Sequence, residues 1–254
     1  MNSFLSYAGG KSRLATRIVK LIPEDHETYI EPFCGGSWVL FAKPEAASRS
    51  EIINDINGEL VNLYKIIKNH LDEFIRYLRW LLVSREEYER FLAMDPTTMT
   101  DVQRAVRFYY LQRLGYGGRV DSHHLAIARG SRPPINLLRI EEQLSEAHIR
   151  LSRVWIEHRP YQEMLKRYDG AKAFFYLDPP YHGYEDMYGP VFSEEDFETL
   201  RDLLAGLSGR FLMSINDTPY IRKAFRQFKI STVDTRWVMS PTRAAVRELL
   251  IKNY

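Results

Sequence analysis

An alternation of strand and helix patterns runs from the start of the chain to about residue 70, gives way to helical patterns, and resumes at about residue 169. Tyr29-Ile30-Glu31-Pro32-Phe33 reads as a short extended run. Gly35 and Gly36 follow, then Trp38-Val39-Leu40-Phe41, apolar enough for a buried helix. Glu51-Ile52-Ile53-Asn54-Asp55 is a strand ending in a carboxylate, after which Leu60, Leu63, Tyr64, Ile67 and Leu71 recur at helical spacing. This βαβα order implies a parallel sheet. The later part continues it. Ala173 to Leu177 and Phe211 to Ile215 read as buried strands, and Phe197, Leu200, Leu203 and Leu204 mark a helix between them. Ile230 to Val233 and Val246 to Ile251 read as a closing antiparallel pair. Between the two parts, Phe74 to Val83, Glu86 to Leu92 and Val102 to Leu114 are helical, and 115–139 is rich in glycine and arginine. The expected organisation is one α/β domain, residues 1–70 and 169–254, interrupted by an inserted module at 71–168.

A chain of 254 residues with 45% hydrophobic content is large enough for such a core plus an insertion. A net charge of +2 says little about partners. The single cysteine, Cys34, excludes an internal disulfide and fits a cytoplasmic protein. No basic start leads into an apolar run, and no apolar stretch is long enough to cross a bilayer.

Gly9-Gly10-Lys11-Ser12 ends like a phosphate-binding loop, but that loop needs a glycine five places before its Gly-Lys, and Leu5 stands there. What remains is a tight turn before a helix with Leu14, Ile18, Val19 and Leu21 on its apolar side.

In open α/β sheets ligands bind outside the carboxyl ends of the strands, and three unusual stretches fall there. The paired glycines of Glu31 to Ser37 let a backbone approach a ligand; a plain tight turn is the other reading. Asp55 lies twenty positions after Gly35, where an acid commonly accepts hydrogen bonds from ribose hydroxyls. The alternative, an N-cap for the next helix, stays open. No basic loop suits a second phosphate, so an adenosine ligand without phosphates fits. The third stretch, Asp178-Pro179-Pro180-Tyr181, is the sharpest. Two prolines fix φ twice and remove two N–H donors, which leaves a rigid edge with a carboxylate, bare carbonyls and an aromatic ring. Such an edge suits an amino group on a flat ring.

These motifs, in this order, resemble the DNA N6-adenine methyltransferases of the Dam-like group, nearly end to end. Tyr7-Ala8-Gly9-Gly10-Lys11 is similar to that family's N-terminal cofactor motif, Glu31 to Gly36 to its glycine motif, and Asp55-Ile56-Asn57 to its ribose-binding acid. Asp178 to Tyr181 is similar to its catalytic motif, and Phe211 to Asp217 and Arg247 to Leu250 to its late strands. Where the family often has Phe-x-Gly-x-Gly, this chain has Ser37 followed by Trp38. The resemblance implies the S-adenosylmethionine-dependent methyltransferase fold, a mixed seven-stranded sheet flanked by helices, with an inserted, mainly helical DNA-recognition domain containing a hairpin at about 119–131. It implies S-adenosyl-L-methionine as cofactor, held by Tyr7, Lys11, Phe33, Gly35, Asp55 and Asp178, and double-stranded DNA as partner for a monomer or weak dimer.

The implied chemistry is methyl transfer to adenine N6, a poor nucleophile because its lone pair is delocalised. Asp178 and the Pro179 carbonyl accept the N6–H bonds, Pro180 stiffens the edge, and Tyr181 stacks on the flipped base. No metal is required, and the adjacent His123 and His124 lack ligand partners. Cys34 reads as a packing residue. From 101 to 140, Arg104, Arg107, Arg113, Arg119, Arg129, Arg132 and Arg139 face only Asp101 and Asp121, a local basic surface suited to phosphates. The resemblance places Arg113, Tyr116, Arg119 and Arg129 at the DNA, Tyr116 as a wedge, and suggests a GATC-like target. The competing readings are transfer to another planar amine, such as cytosine N4 or a base in RNA, and a DNA-binding protein without catalysis.

Overall fold

The computed structural model describes residues 1–5, 7, 9–115, 137–184, 192–236 and 245–254. A short helix α1 (Ala15–Val19) precedes β1 (Thr28–Glu31), α2 (Trp38–Ala42), β2 (Ser50–Asn54) and α3 (Gly58–Asn69). A helical run follows: α4 (Leu71–Arg79), α5 (Arg85–Ala93), α6 (Asp101–Leu114) and α7 (Leu137–Leu151). The chain then re-enters the sheet with β3 (Val154–Glu157), α8 (Tyr161–Tyr168), β4 (Ala173–Leu177), α9 (Glu194–Ala205), β5 (Arg210–Asn216), α10 (Pro219–Ala224), β6 (Lys229–Arg236) and β7 (Ala245–Lys252).

The expected mixed seven-stranded methyltransferase sheet is present, in the order β3-β2-β1-β4-β5-β7-β6. Strands β1 to β5 run parallel, and β7 inserts antiparallel between β5 and β6. The central strands are buried on both faces, and β4 (AFFYL) is buried at every position, which is why it reads as a continuous apolar run. From β1 the chain builds outward through β2 and β3, then returns to lay β4 on the other side of β1. Strand order therefore reverses between β1 and β4, and a crevice opens beyond their carboxyl ends.

The helices start where side chains satisfy free backbone N–H groups. Asn57 caps α3 by accepting from the N–H groups of Glu59 and Leu60, and Thr100 with Gln103 forms a capping box on α6. Helix α3 buries Leu60, Leu63, Tyr64 and Ile67. The helical run packs on this helix, not apart from it. Phe4 lies edge-on to Tyr64 at 5.7 Å, and Phe74 edge-on to Tyr109 of α6 at 5.5 Å, in one continuous cluster that also takes in Phe174 of β4.

The expected insert boundary at 168 is corrected. Residues 154–157 hydrogen-bond to β2 as the sheet's edge strand, and α8 covers the sheet with Met164 and Leu165 buried. Among the described residues the helices between α3 and β3 end at Leu151. The short β3 escapes notice because it is an edge: Trp155 on it is 67% exposed. Among the described residues no helix is long and apolar enough to cross a membrane. The expected hairpin at 119–131 lies outside the described residues.

Candidate active site

At the carboxyl ends of β1 and β4, across the switch in strand order, lies a cavity of about 230 Å³. The glycine motif walls one side, Asp178 to Tyr181 the other, and the turn before α1 closes over it with Tyr7, Gly9, Gly10 and Lys11. The three sequence motifs therefore meet at one place.

On the glycine side the backbone is held by Asp55. Its Oδ2 accepts from Gly35 N at 3.0 Å and its Oδ1 from Asn57 N at 2.9 Å. Burial raises the Asp55 pKa, and these N–H groups pull it back down. Asn57, not Asp55, is the cap of α3. Gly35 has φ +46°, and an added Cβ would sit 3.2 Å from the Tyr7 ring. At Gly10 a Cβ would lie 2.7 Å from Trp38 Nε1. Ser37 adopts a left-handed backbone, with φ 47° and ψ 38°, a region that glycine enters most easily. The loop thus keeps its course at the cost of some strain, and Trp38 fills the space against the Gly10 turn. Tyr7 accepts a hydrogen bond on its hydroxyl from Asn57 Nδ2 at 3.2 Å. Phe33 packs against Tyr161 at 5.1 Å and Phe192 at 6.0 Å.

The other side is charged. Lys11, expected among the cofactor contacts, lines the cavity but is only 4% exposed. Its ammonium donates to Asp178 Oδ1 at 2.8 Å, the Tyr181 hydroxyl at 2.6 Å and the Gly9 carbonyl at 3.0 Å. Ser214 of β5 also donates to Asp178 Oδ1, at 3.0 Å. The Ser214 proton is thereby engaged, so the Tyr176 hydroxyl, 2.8 Å away, donates to Ser214. Burial pushes the Asp178 pKa up to about 6, Lys11 and Ser214 pull it down, and Glu248 pushes it up. All of these bonds fall on Oδ1. Pro179 is buried, Pro180 half-buried, and the turn beyond them is clamped: Asn216 accepts from His182 N at 3.0 Å and donates to His182 O at 2.8 Å. Tyr181 is 1% exposed, its ring 4.6 Å from the Lys11 ammonium. The face expected to stack on a base is therefore covered in this conformation, with the Lys11 ammonium over the ring.

Several residues to which the motifs assign no role also shape the site. Glu31, 1% exposed, accepts on Oε1 from the Tyr29 hydroxyl at 2.6 Å and Leu40 N at 2.9 Å. Burial nevertheless pushes its pKa up to about 7. Asn54 ties three strand ends together, donating to the Pro32 and Arg159 carbonyls at 2.9 and 3.0 Å and accepting from Arg159 N at 2.8 Å. Through that link the end of β3 brings Pro160 and Tyr161 to the cavity. An apolar run, Val154 to Ile156, followed by His158-Arg159-Pro160 was the available signal. Cys34 is buried and its thiol pushed up by burial, as suits a packing residue.

The basic surface is smaller than the arginine count implies. Arg104 is ion-paired to Glu59 and, at 3.2 Å, to Asp101, and Arg107 donates to the Phe91 carbonyl at 2.6 Å. Arg113 reaches Gln143 of α7 at 3.4 Å and lies over the Tyr109 ring. Tyr116, Arg119 and Arg129 lie outside the described residues.

The cavity suits an adenosyl cofactor of the expected kind. It offers a glycine backbone that ligand atoms can approach, a half-buried acid beside it and an aromatic wall. Residues 7–239 match the family described as D12 class N6 adenine-specific DNA methyltransferase. The chain is 27% identical to the type II methyltransferase M1.LlaDCHI of Lactococcus lactis subsp. cremoris, over 100% of this chain and 96% of that protein. It is 28% identical to the DNA adenine methylase of Escherichia coli K12, over 98% and 94%. It is 24% identical to the type II methyltransferase M.CviBI of Paramecium bursaria Chlorella virus NC1A, over the full length of both.

Proposed function

The chain belongs to the D12 class N6 adenine-specific DNA methyltransferases, and from that premise we propose that it methylates N6 of an adenine flipped out of a short double-stranded DNA site, with a GATC-like sequence as the target. It is an S-adenosylmethionine-dependent enzyme of DNA. The observation that carries the finer reading is the meeting, across the β1/β4 switch, of the glycine cradle and the Asp178-Pro179-Pro180 edge.

In this reading Tyr7, Phe33, Gly35 and Asp55 hold the cofactor, with Asp55 doing so partly through the Gly35 backbone it fixes. Lys11 contributes by orienting Asp178. Bound S-adenosylmethionine supplies a methyl group on a positively charged sulfur, which keeps the bonding pair when the methyl leaves. Asp178 and the Pro179 carbonyl accept the two N6–H bonds, which localises the lone pair and stabilises positive charge developing on nitrogen. Two prolines and the Asn216 clamp keep those acceptors from turning away, a positioning effect. Methylated N6 carries one surplus proton, and the Asp178 carboxylate takes it and returns it to solvent. Stacking of Tyr181 on the base requires its ring to swing away from Lys11 as the adenine enters. Arg113, Tyr116, Arg119 and Arg129 remain the proposed DNA contacts, in a monomer or weak dimer acting in the cytoplasm of a bacterial or phage-infected cell.

The test is to incubate the purified protein with unmethylated genomic DNA and S-adenosylmethionine and to map modified bases by sequencing. N6-methyladenine confined to one short motif is expected. N4-methylcytosine, or cofactor binding without DNA modification, would point to another planar amine. Absence of both modification and cofactor binding would leave a DNA-binding protein without catalysis.

A further inference from the structure

The antiparallel strand β7 carries a buried acid just before an apolar run. Glu248 is 3% exposed, stands opposite Asn216 of β5 and Val233 of β6, and is followed by the buried Leu249, Leu250 and Ile251. Its Oε2 is buried and has no hydrogen-bond partner among the described residues. An unbonded carboxylate inside a sheet is costly to fold. Its nearest cation is Lys11, whose ammonium lies 3.9 Å from Oε2. That ammonium has three N–H donors, and Asp178, Tyr181 and Gly9 take all three. Glu248 is therefore felt by this cluster as charge and not as a hydrogen bond.

We propose that Glu248 is a positioning residue for methyl transfer, one that acts through Lys11 to keep the Lys11–Asp178–Glu248 cluster one negative charge in excess. This rests on the reading of Asp178 as the N6–H acceptor. With Lys11 and Asp178 alone the cluster would be neutral. With Glu248 it presents net negative charge to a reaction that passes through positive nitrogen and begins from positive sulfur. It also makes Asp178 a better resting place for the surplus proton, because Glu248 raises the Asp178 pKa. The other groups bearing on Asp178 are Ser214 and, through it, Tyr176; Glu31 at the end of β1, which itself feels Asp178; and Tyr181 on the Lys11 side. None of them cancels Glu248.

The test is Glu248→Gln, which keeps the shape and removes the charge, beside Glu248→Asp, which keeps the charge. Each is measured as methyl transfer to duplex DNA over a range of pH, with a thermal melt. For Glu248→Gln the expected kcat at the alkaline plateau falls about tenfold or more. KM for DNA stays within about twofold, since the lost interaction is with the positive charge that passes from the cofactor to N6 and not with the DNA. The acidic limb of its pH profile moves to lower pH, because Asp178 then ionises more easily. Its melting temperature holds or rises. Glu248→Asp is expected to keep the acidic limb near that of the parent. An acidic limb unmoved by Glu248→Gln, or an unchanged kcat, would overturn the inference while parent activity upheld the wider reading. A parent protein that methylates no adenine would overturn both.

Discussion

Two places in this protein bring three charges together, and they are built to opposite ends. On β2, Glu51 accepts from Lys43 at 2.6 Å and from Arg150 at 2.5 and 2.7 Å, and Arg150 also donates to the Leu40 carbonyl. One acid faces two cations, both of its oxygens are bonded, and α2, β2 and α7 are tied together. At the strand ends, two acids face one cation, and Glu248 Oε2 is left without a bond. Burial lowers the Lys43 pKa and raises that of Asp178 to about 6. Since the folded pKa of Asp178 lies above its ordinary 3.8, its contribution favours the fold fully below about pH 4. That contribution is lost as pH rises through 6, a cost of about 3 kcal/mol at neutral pH. The scaffold cluster bonds both oxygens of its single acid and carries one surplus positive charge; the candidate active site carries one surplus negative charge, the sign a cationic reaction needs.

Paired variants break that comparison most sharply. Asp178→Asn should lower kcat about a thousandfold, about 4 kcal/mol, and shift the melting temperature by no more than a few degrees. Glu51→Gln leaves two cations buried and should cost about 3–5 kcal/mol of stability, a fall of about 10 °C in Tm. The surviving folded fraction should retain normal turnover. Thermal melts and steady-state rates on both proteins check this, and the reverse assignment of effects would sink the distinction. A smaller effect tests the glycine side, where backbone strain and not charge is stored. Ser37→Gly should raise the free energy of unfolding by about 1 kcal/mol, with cofactor affinity unchanged; a lowered unfolding free energy would mean that Ser37 is unstrained.

The same contrast explains what was legible in the sequence. Strands β1, β2, β4 and β5 announce themselves because central strands carry apolar runs, unbroken in β4. The motifs at their ends are legible because each is a contiguous stretch obeying local rules: glycines for close approach, prolines for a fixed edge. Strand β3 was folded into the insert because an edge strand with an exposed Trp155 and charged flanks gives little period to read. The charge clusters left no local trace. Lys11, Asp178 and Glu248 come from the chain's beginning, late middle and end, and only the sheet order makes them neighbours. Arg104 and Arg107 counted toward a basic surface in the sequence, yet the fold engages both with Glu59 and the Phe91 carbonyl. Composition cannot separate an arginine that faces DNA from one that holds a helix in place.

The most direct measurement is a crystal structure of the protein with S-adenosylmethionine. The cofactor is expected in the cavity between Gly35 and Asp55 on one side and Asp178 and Pro179 on the other, its sulfur on the side of the Lys11–Asp178–Glu248 cluster. Cofactor bound elsewhere, or with its sulfur turned away from Asp178, would contradict the assignment of this cavity as the place of methyl transfer.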